Sequence, residues 1–356
     1  STWSPDSAHI AFWDQTATLF LADVEAGSVQ VLDRDVWGGR STVSFSGDSG
    51  WLAYDKTVED NPNTSAIWLY ELTSGEKHRV TSGRFNDGQP TFDREGNHLF
   101  FVSRREFTEP IYEDVGTTWV YADTSRLLAV PLRHDVEPPF PPLNDEEPVD
   151  GEPEEDADED AETKDGSKKE NGDDETPEPV AVDLEGFESR AVLLPVERGS
   201  FAGLDVTASG ELIYLRGTRT DRDASPRLVM LSLERNGDSG PKGKANGPGD
   251  DGEEGGNGPE EQVVLAEVSG YELSADGKKV LAWKGPRMAV VDARPKQRMK
   301  HALDLSGLET TVDPRHEWRQ IFTEAWRLQR DFFYDPGMHG VDWMAVRAQY
   351  EAMLAD

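Results

Sequence analysis

One short pattern recurs five times along the chain and limits the folds that it can adopt. A polar turn, such as Ser-Pro-Asp-Ser or Ser-Ala-Asp-Gly, is followed each time by a run of alternating or continuous apolar residues. The Asp-Ser, Asp-Gly and Glu-Gly turns favour the positive φ angles of tight turns, so each copy predicts a strand that begins after a hairpin. The copies occupy residues 4–12, 46–54, 93–101, 207–215 and 274–282.

The spacing of these copies predicts a β-propeller. The first three copies begin 42 and 47 residues apart, which is the length of one four-stranded blade, and the later spacings shorten once two insertions are removed. We therefore expect a mainly β protein with five visible blades, the first of them incomplete. Because a blade buries both faces against its neighbours, we also expect part of a blade to lie upstream of Ser1.

Two insertions divide the predicted blades into three stretches, at residues 1–135, 180–235 and 262–309. Residues 136–179 form an acidic insertion. Its residues 144–179 carry 18 Asp and Glu against three Lys, a net charge of −15. So few apolar residues cannot offset the entropy of ordering, and we predict that this insertion is disordered. Residues 236–261 are rich in Gly and predict a second flexible loop. We expect neither insertion to carry chemistry.

The composition excludes several classes of function. The chain has a net charge of −34, of which −19 remains outside the acidic segment, so nucleic acid and anionic membranes would be repelled. The absence of cysteine excludes disulfides, thiolate catalysis and zinc sites built on cysteine. No apolar run reaches transmembrane length. We expect a cytoplasmic protein, and a periplasmic one stays open because a targeting segment could precede Ser1.

The last stretch, residues 313–356, predicts the start of a helical subdomain, truncated at the end of the chain. Asp313 is a favourable N-cap and Pro314 suits the first helical position. Apolar residues then recur at helical spacing, at Trp318, Ile321, Phe322, Ala325, Trp326 and Phe332. Asp342 can cap a second helix with an apolar face of Trp343, Val346, Tyr350, Met353 and Leu354. We expect these aromatic residues to form the core of the subdomain.

The sequence supports no assignment of catalytic, cofactor-binding or metal-binding residues. The run from His316 to Gln320 nearly matches the zincin motif, but Gln320 stands where the second histidine is required. The acidic run at residues 156–160 imitates a calcium loop without its glycine and closing glutamate. His339 lies in a loop between two helices, where a structural hydrogen bond is the expected role. There is no Gly-x-Ser-x-Gly elbow and no phosphate-binding loop.

A further candidate is the segment 107–112, Phe-Thr-Glu-Pro-Ile-Tyr, which interrupts the third blade. We expect it to form a loop over the mouth of the ring. Loops at propeller faces often bind ligands, although most aromatic residues in such loops only pack.

Several segments resemble known families. The polar turns resemble those of TolB-like propellers. Residues 313–333, followed by Gly-Val-Asp-Trp at 340–343, more specifically resemble the opening of the catalytic core of the tricorn protease family. Residues 107–112 and 183–190 also resemble segments of that family.

The tricorn resemblance implies a six-bladed, TolB-like propeller that gates access to a serine peptidase. The implied substrates are oligopeptides or unfolded polypeptide, and the implied assembly is a homo-oligomer. The catalytic residues of that family follow the helices seen here, so we expect this chain by itself to be inactive. Its acidic charge would favour basic or neutral peptides at the entrance.

Two other functions stay open. The first is a non-enzymatic TolB-like propeller that serves as a protein-interaction module, although such a propeller has no need of the helices after Asp313. The second is a propeller-bearing α/β-hydrolase peptidase, in which the segment after the propeller would open with strands and a nucleophile elbow.

Overall fold

The computed structural model describes residues 1–39, 42–108, 110–114, 118–141, 178–218, 225–233 and 261–355. Most of the two predicted insertions, at residues 142–177 and 234–260, lies outside the described residues. The chain divides into two compact units, Ser1–His301 and Ala302–Asp356.

The first unit consists of sheets that follow one another along the chain. The first sheet contains β1 (Thr2–Trp3), β2 (His9–Trp13), β3 (Thr18–Asp23) and β4 (Ser28–Arg34). The second contains β5 (Val43–Phe45), β6 (Trp51–Val58), β7 (Asn61–Glu71) and β8 (Lys77–Arg79).

The third sheet has a hairpin inserted into its middle. The sheet itself contains β9 (Asn86–Phe92), β10 (His98–Arg104), β13 (Ser125–Pro131) and β14 (Val192–Leu193). The inserted hairpin consists of β11 (Tyr112–Asp114) and β12 (Thr118–Val120). The fourth sheet contains β15 (Ser200–Val206), β16 (Leu212–Gly217), β17 (Arg227–Leu231) and β18 (Gln262–Leu265). The last contains β19 (Gly270–Leu273), β20 (Lys279–Lys284) and β21 (Arg287–Asp292).

Each of these five sheets is an antiparallel meander, and together they form the predicted propeller. The expectation that the first blade is incomplete was wrong, since the first sheet has four strands. Its strand β1 is only two residues long, but Thr2 and Trp3 suffice to pair with Ala11 and Ile10. Among the described residues, the sheet with three strands is the last one. A ring of six blades stays a prediction.

The recurrent polar turns have one geometry. In the copy that begins at Ser4, the serine hydroxyl donates to the carboxylate of Asp6 at 2.5 Å and accepts from the amide of His9 at 2.8 Å. The residue after the aspartate, Ser7, has a φ of 62°. The equivalent residue in the last copy, Gly277, has a φ of 69°. The positive φ angles predicted from the turn sequences are therefore confirmed.

In the described part of the propeller, the core consists of four apolar clusters, each between two consecutive sheets. For example, Ile67 of the second sheet packs in one cluster with Phe101 of the third, while Phe100 points to the next cluster with Tyr214 of the fourth. Neighbouring residues of one strand thus enter different clusters, because successive side chains of a strand point to opposite faces. This burial on both faces explains why the middle strands of a sheet, such as β10 and β13, are almost continuously apolar.

The second unit, described by itself, contains α1 (Pro314–Phe332) and α2 (Trp343–Glu351). The caps are as predicted. Asp313 accepts from the amide of Arg315 at 3.0 Å, and Asp342 accepts from the amide of Ala345 at 2.9 Å.

The predicted helical core is reduced to a tryptophan pair in this chain. Trp326 and Trp343 stack with their ring centroids 6.5 Å apart, and each indole N–H donates to the backbone carbonyl of the other residue, at 2.9 and 3.2 Å. Trp326 is 6% exposed, but Trp318 and Phe332 are 53% and 59% exposed. The expectation that all these aromatic residues form a core was therefore wrong for this chain, because two short helices cannot enclose them.

Candidate functional site

The propeller contains a cavity of about 720 Å³ at one end of the second, third and fourth sheets. This volume lies in the range of small-molecule and peptide pockets. In an antiparallel meander, the start of the first strand and the end of the second lie at the same end of the sheet, and Arg104 accordingly pairs with Asn86. The lining residues come from these ends, among them Asn63, Arg84, Phe85, Asn86, Gln89, Arg104, Phe107, Tyr121, Ser200 and Ala202.

The side chain of Gln89 joins the walls of the cavity. Its amide nitrogen donates to the carbonyl of Phe201 at 3.1 Å, and its carbonyl oxygen accepts from the amide of Gly203 at 2.8 Å. Gln89 itself has a φ of 55°, a conformation that side-chain-bearing residues rarely adopt. These two hydrogen bonds fix β9 against β15, so this part of the cavity is preformed.

The charge of the cavity is opposite to that of the chain. Its lining contains Arg84 and Arg104 but, as an acid, only Asp123 among the described residues. Asp123 accepts a hydrogen bond from the hydroxyl of Thr218 at 2.6 Å. Within the described part of the chain, neither Arg84 nor Arg104 forms an ion pair, and both side chains are exposed. The expectation that acidic walls favour basic peptides therefore does not hold at this cavity.

Phe85 supports the basic side of the cavity. The guanidinium groups of Arg84 and Arg105 lie 6.0 and 4.6 Å from the centre of its ring. The guanidinium group of Arg105 already has hydrogen-bond partners, since it donates to the hydroxyl of Ser103 at 2.7 Å and to the carboxylate of Asp87 at 3.3 Å. Arg105 is thus structural, whereas Arg84 is held by the ring and stays available to a ligand.

The hairpin β11–β12 extends beside the cavity and is rich in exposed aromatic residues. Phe107 and Tyr121, at its base, line the cavity and meet edge to face with their ring centroids 5.5 Å apart. Tyr112 and Trp119, on the two strands, are 55% and 49% exposed. The segment 107–112 therefore does interrupt the third blade, as predicted, and its aromatic residues border a concave site.

Three buried carboxyl groups lie on strands of the second, third and fourth sheets. Asp55 accepts from the amide of Thr42 at 2.7 Å, and burial raises its pKa to about 6. Burial also raises the pKa of Asp87 on β9 and of Asp205 on β15. These groups affect the stability of the propeller, but they do not line the cavity.

Sequence inspection did not single out Arg84, Gln89 or Arg104. The available signal was positional: Arg84 stands two residues before β9, and Arg104 is the last residue of β10. Both positions fall at one end of a predicted blade, so a count of charges at strand ends would have found them.

The histidine candidates lie in the second unit. His339 has a φ of 52° and is hydrogen-bonded to the hydroxyl of Tyr334, and its amide donates to Asp335 at 2.8 Å. It holds the loop between α1 and α2, which agrees with the expected structural role. His316 is exposed on α1, and its Nδ1 lies 3.4 Å from the carboxylate of Asp313.

The described ranges contain no group of three or more His, Asp or Glu side chains placed to hold a metal ion. The acidic run at residues 156–160 lies outside the described residues. None of the described helices is long and apolar enough to cross a bilayer.

Comparison with known proteins decides the family. The sequence profile of the "Tricorn protease second beta propeller domain" matches residues 1–236. The chain belongs to the tricorn protease family. A second profile, that of the "Tricorn protease C1 domain", matches residues 314–356, so the resemblance noted from the terminal helices is confirmed.

Individual tricorn relatives match almost the whole chain. "Tricorn protease homolog 1" of Streptomyces coelicolor is 28% identical, over 99% of this chain and 31% of that protein. The "Putative Tricorn-like protease C-terminal subunit" of Sulfurisphaera tokodaii is 22% identical, over 99% of this chain and 36% of that protein. The crystal structure of the tricorn protease matches with a TM-score of 0.66 and 15% identity, over 99% of this chain and 30% of that one. The chain thus spans about a third of the length of these relatives.

Proposed function

We propose that this chain is the propeller and linker portion of a serine-type protease that degrades oligopeptides, with the propeller gating the access of substrate. The observation that carries the proposal is the succession of two tricorn profiles, a second propeller and a C1 domain, in one chain. The substrates are peptides or unfolded polypeptide. The catalytic residues belong to parts of the protease that this chain does not contain, so the chain by itself has no peptidase activity.

A comparison of hydrolysis rates tests the activity. The complete product of the gene is expected to hydrolyse fluorogenic oligopeptides and to be inactivated by a covalent serine-directed inhibitor, whereas the 356-residue chain is expected to do neither. Hydrolysis that is insensitive to the inhibitor would refute the serine-type assignment. Hydrolysis by the short chain would refute its predicted inactivity.

The gating role can be tested by obstruction, because the chain has no cysteine of its own. Ala202 is exposed on β15 and lines the cavity, so Ala202→Cys gives this chain a single thiol for a bulky maleimide, and any cysteine elsewhere in the complete product is first replaced by serine. In the complete product, the label is expected to slow the hydrolysis of long peptides several-fold and to leave dipeptide amides unaffected. Labelled Ser28→Cys, on the exposed strand β4, is the matched control. Equal rates for the two labelled proteins would argue against gating at this position.

The proposal includes a homo-oligomeric, cytoplasmic protein. Light scattering of the complete product and fractionation of the cells that express it test these two points. A monomer, or recovery outside the cytoplasm, would contradict the corresponding point.

A further inference from the structure

We propose that the cavity between the second, third and fourth sheets binds a peptide segment that carries a carboxylate next to a large apolar side chain. This inference deepens the proposed function, on which it rests only for taking the ligand to be a peptide. It adds a binding site and the chemistry that the site selects.

The first argument is charge. In a chain with a net charge of −34, we expect most basic side chains to form ion pairs with carboxylates, as Arg105 does with Asp87. Arg84 and Arg104 line the same cavity, are exposed, and have no ion pair among the described residues. Guanidinium groups bind carboxylates through paired, charge-assisted hydrogen bonds, so an acidic group is the ligand that this wall fits.

An adjoining cavity of about 340 Å³ extends the basic surface. It shares Asp123 and Gly199 with the first cavity, and its lining adds three arginines, Arg198, Arg216 and Arg227, against one further acid, Glu197. Arg216 is engaged, since it contacts Glu261 at 3.3 Å and lies 4.5 Å from the ring centre of Phe201. Besides Arg216, this lining therefore presents Arg198, which donates to the hydroxyl of Thr108 at 3.3 Å, and Arg227.

The second argument is the apolar rim. Phe107 and Tyr121 border the cavity, and Ile111, Tyr112, Trp119 and Val120 continue the exposed apolar surface along the hairpin. Within the described residues, β11 and β12 pair only with each other. A two-stranded hairpin is marginally stable alone, and an exposed apolar patch of this kind usually marks an interaction site. An apolar side chain of the ligand would pack on this rim while its carboxylate reaches the arginines.

The third argument is the remaining polar lining. Asn63, Asn86 and Ser200 offer amide and hydroxyl groups that can form hydrogen bonds with the backbone of an extended peptide.

A nucleic acid would also be attracted by arginines and aromatic rings. The wider chain is acidic, however, and a polyanion that extended beyond the cavity would meet repulsion.

Binding of fluorescein-labelled peptides to the 356-residue chain tests the proposal by anisotropy. Three peptides share one Phe-containing sequence. The first has a free C-terminal carboxylate, the second has a C-terminal amide and an internal Glu, and the third has a C-terminal amide and no acidic residue. We expect the first or the second to bind at least about tenfold more tightly than the third, and the better of the two identifies the source of the carboxylate.

The double variant Arg84→Gln, Arg104→Gln removes the two charges from exposed side chains, so it is expected to fold. It should weaken binding of the preferred peptide by about tenfold or more and leave the third peptide unchanged. Its matched control, Arg34→Gln with Lys278→Gln, removes two charges from other exposed side chains that do not line the cavity, and should change binding less than twofold. Phe107→Ala should weaken all three peptides to a similar degree.

Several results would overturn the proposal. These are no peptide binding by the unmodified chain, equal losses in the cavity variant and its control, or tighter binding of a single-stranded oligonucleotide than of the acidic peptides. The test is independent of peptidase activity. A complete gene product without hydrolysis would refute the proposed function and leave this site standing, while unaltered peptide binding by the cavity variant would refute the site alone.

Discussion

Asp55 offers a sharp test of how burial controls the stability of this propeller. Its carboxylate lies on β6 and accepts hydrogen bonds from the amides of Thr42 and Gln89, but none of the described basic side chains pairs with it. The substitution Asp55→Asn keeps an oxygen that can accept from Thr42 and removes the charge. We expect the variant to be more stable than the unmodified chain at neutral pH and equally stable in acid.

The magnitude follows from the pKa. Burial raises the pKa of Asp55 from 3.8 to about 6. The folded state therefore binds the proton more tightly than the unfolded state. The stabilisation is fully present below pH 3.8 and is lost as the pH rises through 6. At about 1.4 kcal/mol per pKa unit, the loss is about 3 kcal/mol at neutral pH and about half of that near pH 5.

Urea unfolding at several pH values between 4 and 8, at constant ionic strength and followed by circular dichroism of the strands, measures this difference. Asp87 and Asp205 also have raised pKa values, but they are present in both proteins and cancel. The control is Asp276→Asn. The pKa of Asp276 is lowered below 3.8 by hydrogen bonds from Ser274 and Lys278, so its loss should destabilise the chain by nearly the same amount across this pH range, and the effect should diminish only below pH 3.8.

A free energy difference between Asp55→Asn and the unmodified chain that stays constant from pH 4 to pH 8 would refute the reasoning. So would a variant that is less stable at neutral pH. Either result would mean that the carboxylate of Asp55 is solvated or paired in the folded protein.

Three other changes probe separate features. Asp33→Ala removes the carboxylate 2.8 Å from the buried Lys56 and leaves it the exposed Glu59 at 3.8 Å. Urea unfolding should therefore show a loss of about 3 kcal/mol, and a loss below about 1 kcal/mol would contradict a buried ion pair. Ser7 has a φ of 62° in the first polar turn, so Ser7→Gly removes a steric strain of the backbone and should stabilise the chain by about 1 kcal/mol in the same assay. Destabilisation would show that the turn is unstrained. Trp326→Ala removes the stacking partner of Trp343 and should speed hydrogen exchange throughout α1 and α2 without affecting the propeller strands, and unchanged exchange would exclude the tryptophan pair as the core of this unit.

The parts of the structure that were predicted correctly depend on short stretches of sequence. The polar turn at Ser4, the helix cap at Asp313 and the alternation that marks each strand involve residues within about five positions of one another. Their hydrogen bonds form within the same segment. A recurrence of such segments every 42 to 47 residues then sufficed to predict blades.

The errors concern quantities that distant residues decide. The exposure of Trp318 and Phe332 could not be predicted, because an apolar face at helical spacing indicates a surface to be covered but not what covers it. The completeness of the first blade was also missed, because β1 has only two residues and is recognisable as a strand only through its pairing with β2.

The sequence by itself determined the repeated blade, the two helix caps and the acidic balance of the chain, since each arises from local hydrogen bonding, periodicity or composition. Only the tertiary structure decided which charged side chains line a common cavity and which are buried. Arg84 and Arg104 line one cavity with Ser200 because three sheets converge there, and Asp55 has a raised pKa because neighbouring strands exclude water from it. Electrostatic energies depend on the distances between charges and on their exposure to water, and the sequence specifies neither directly.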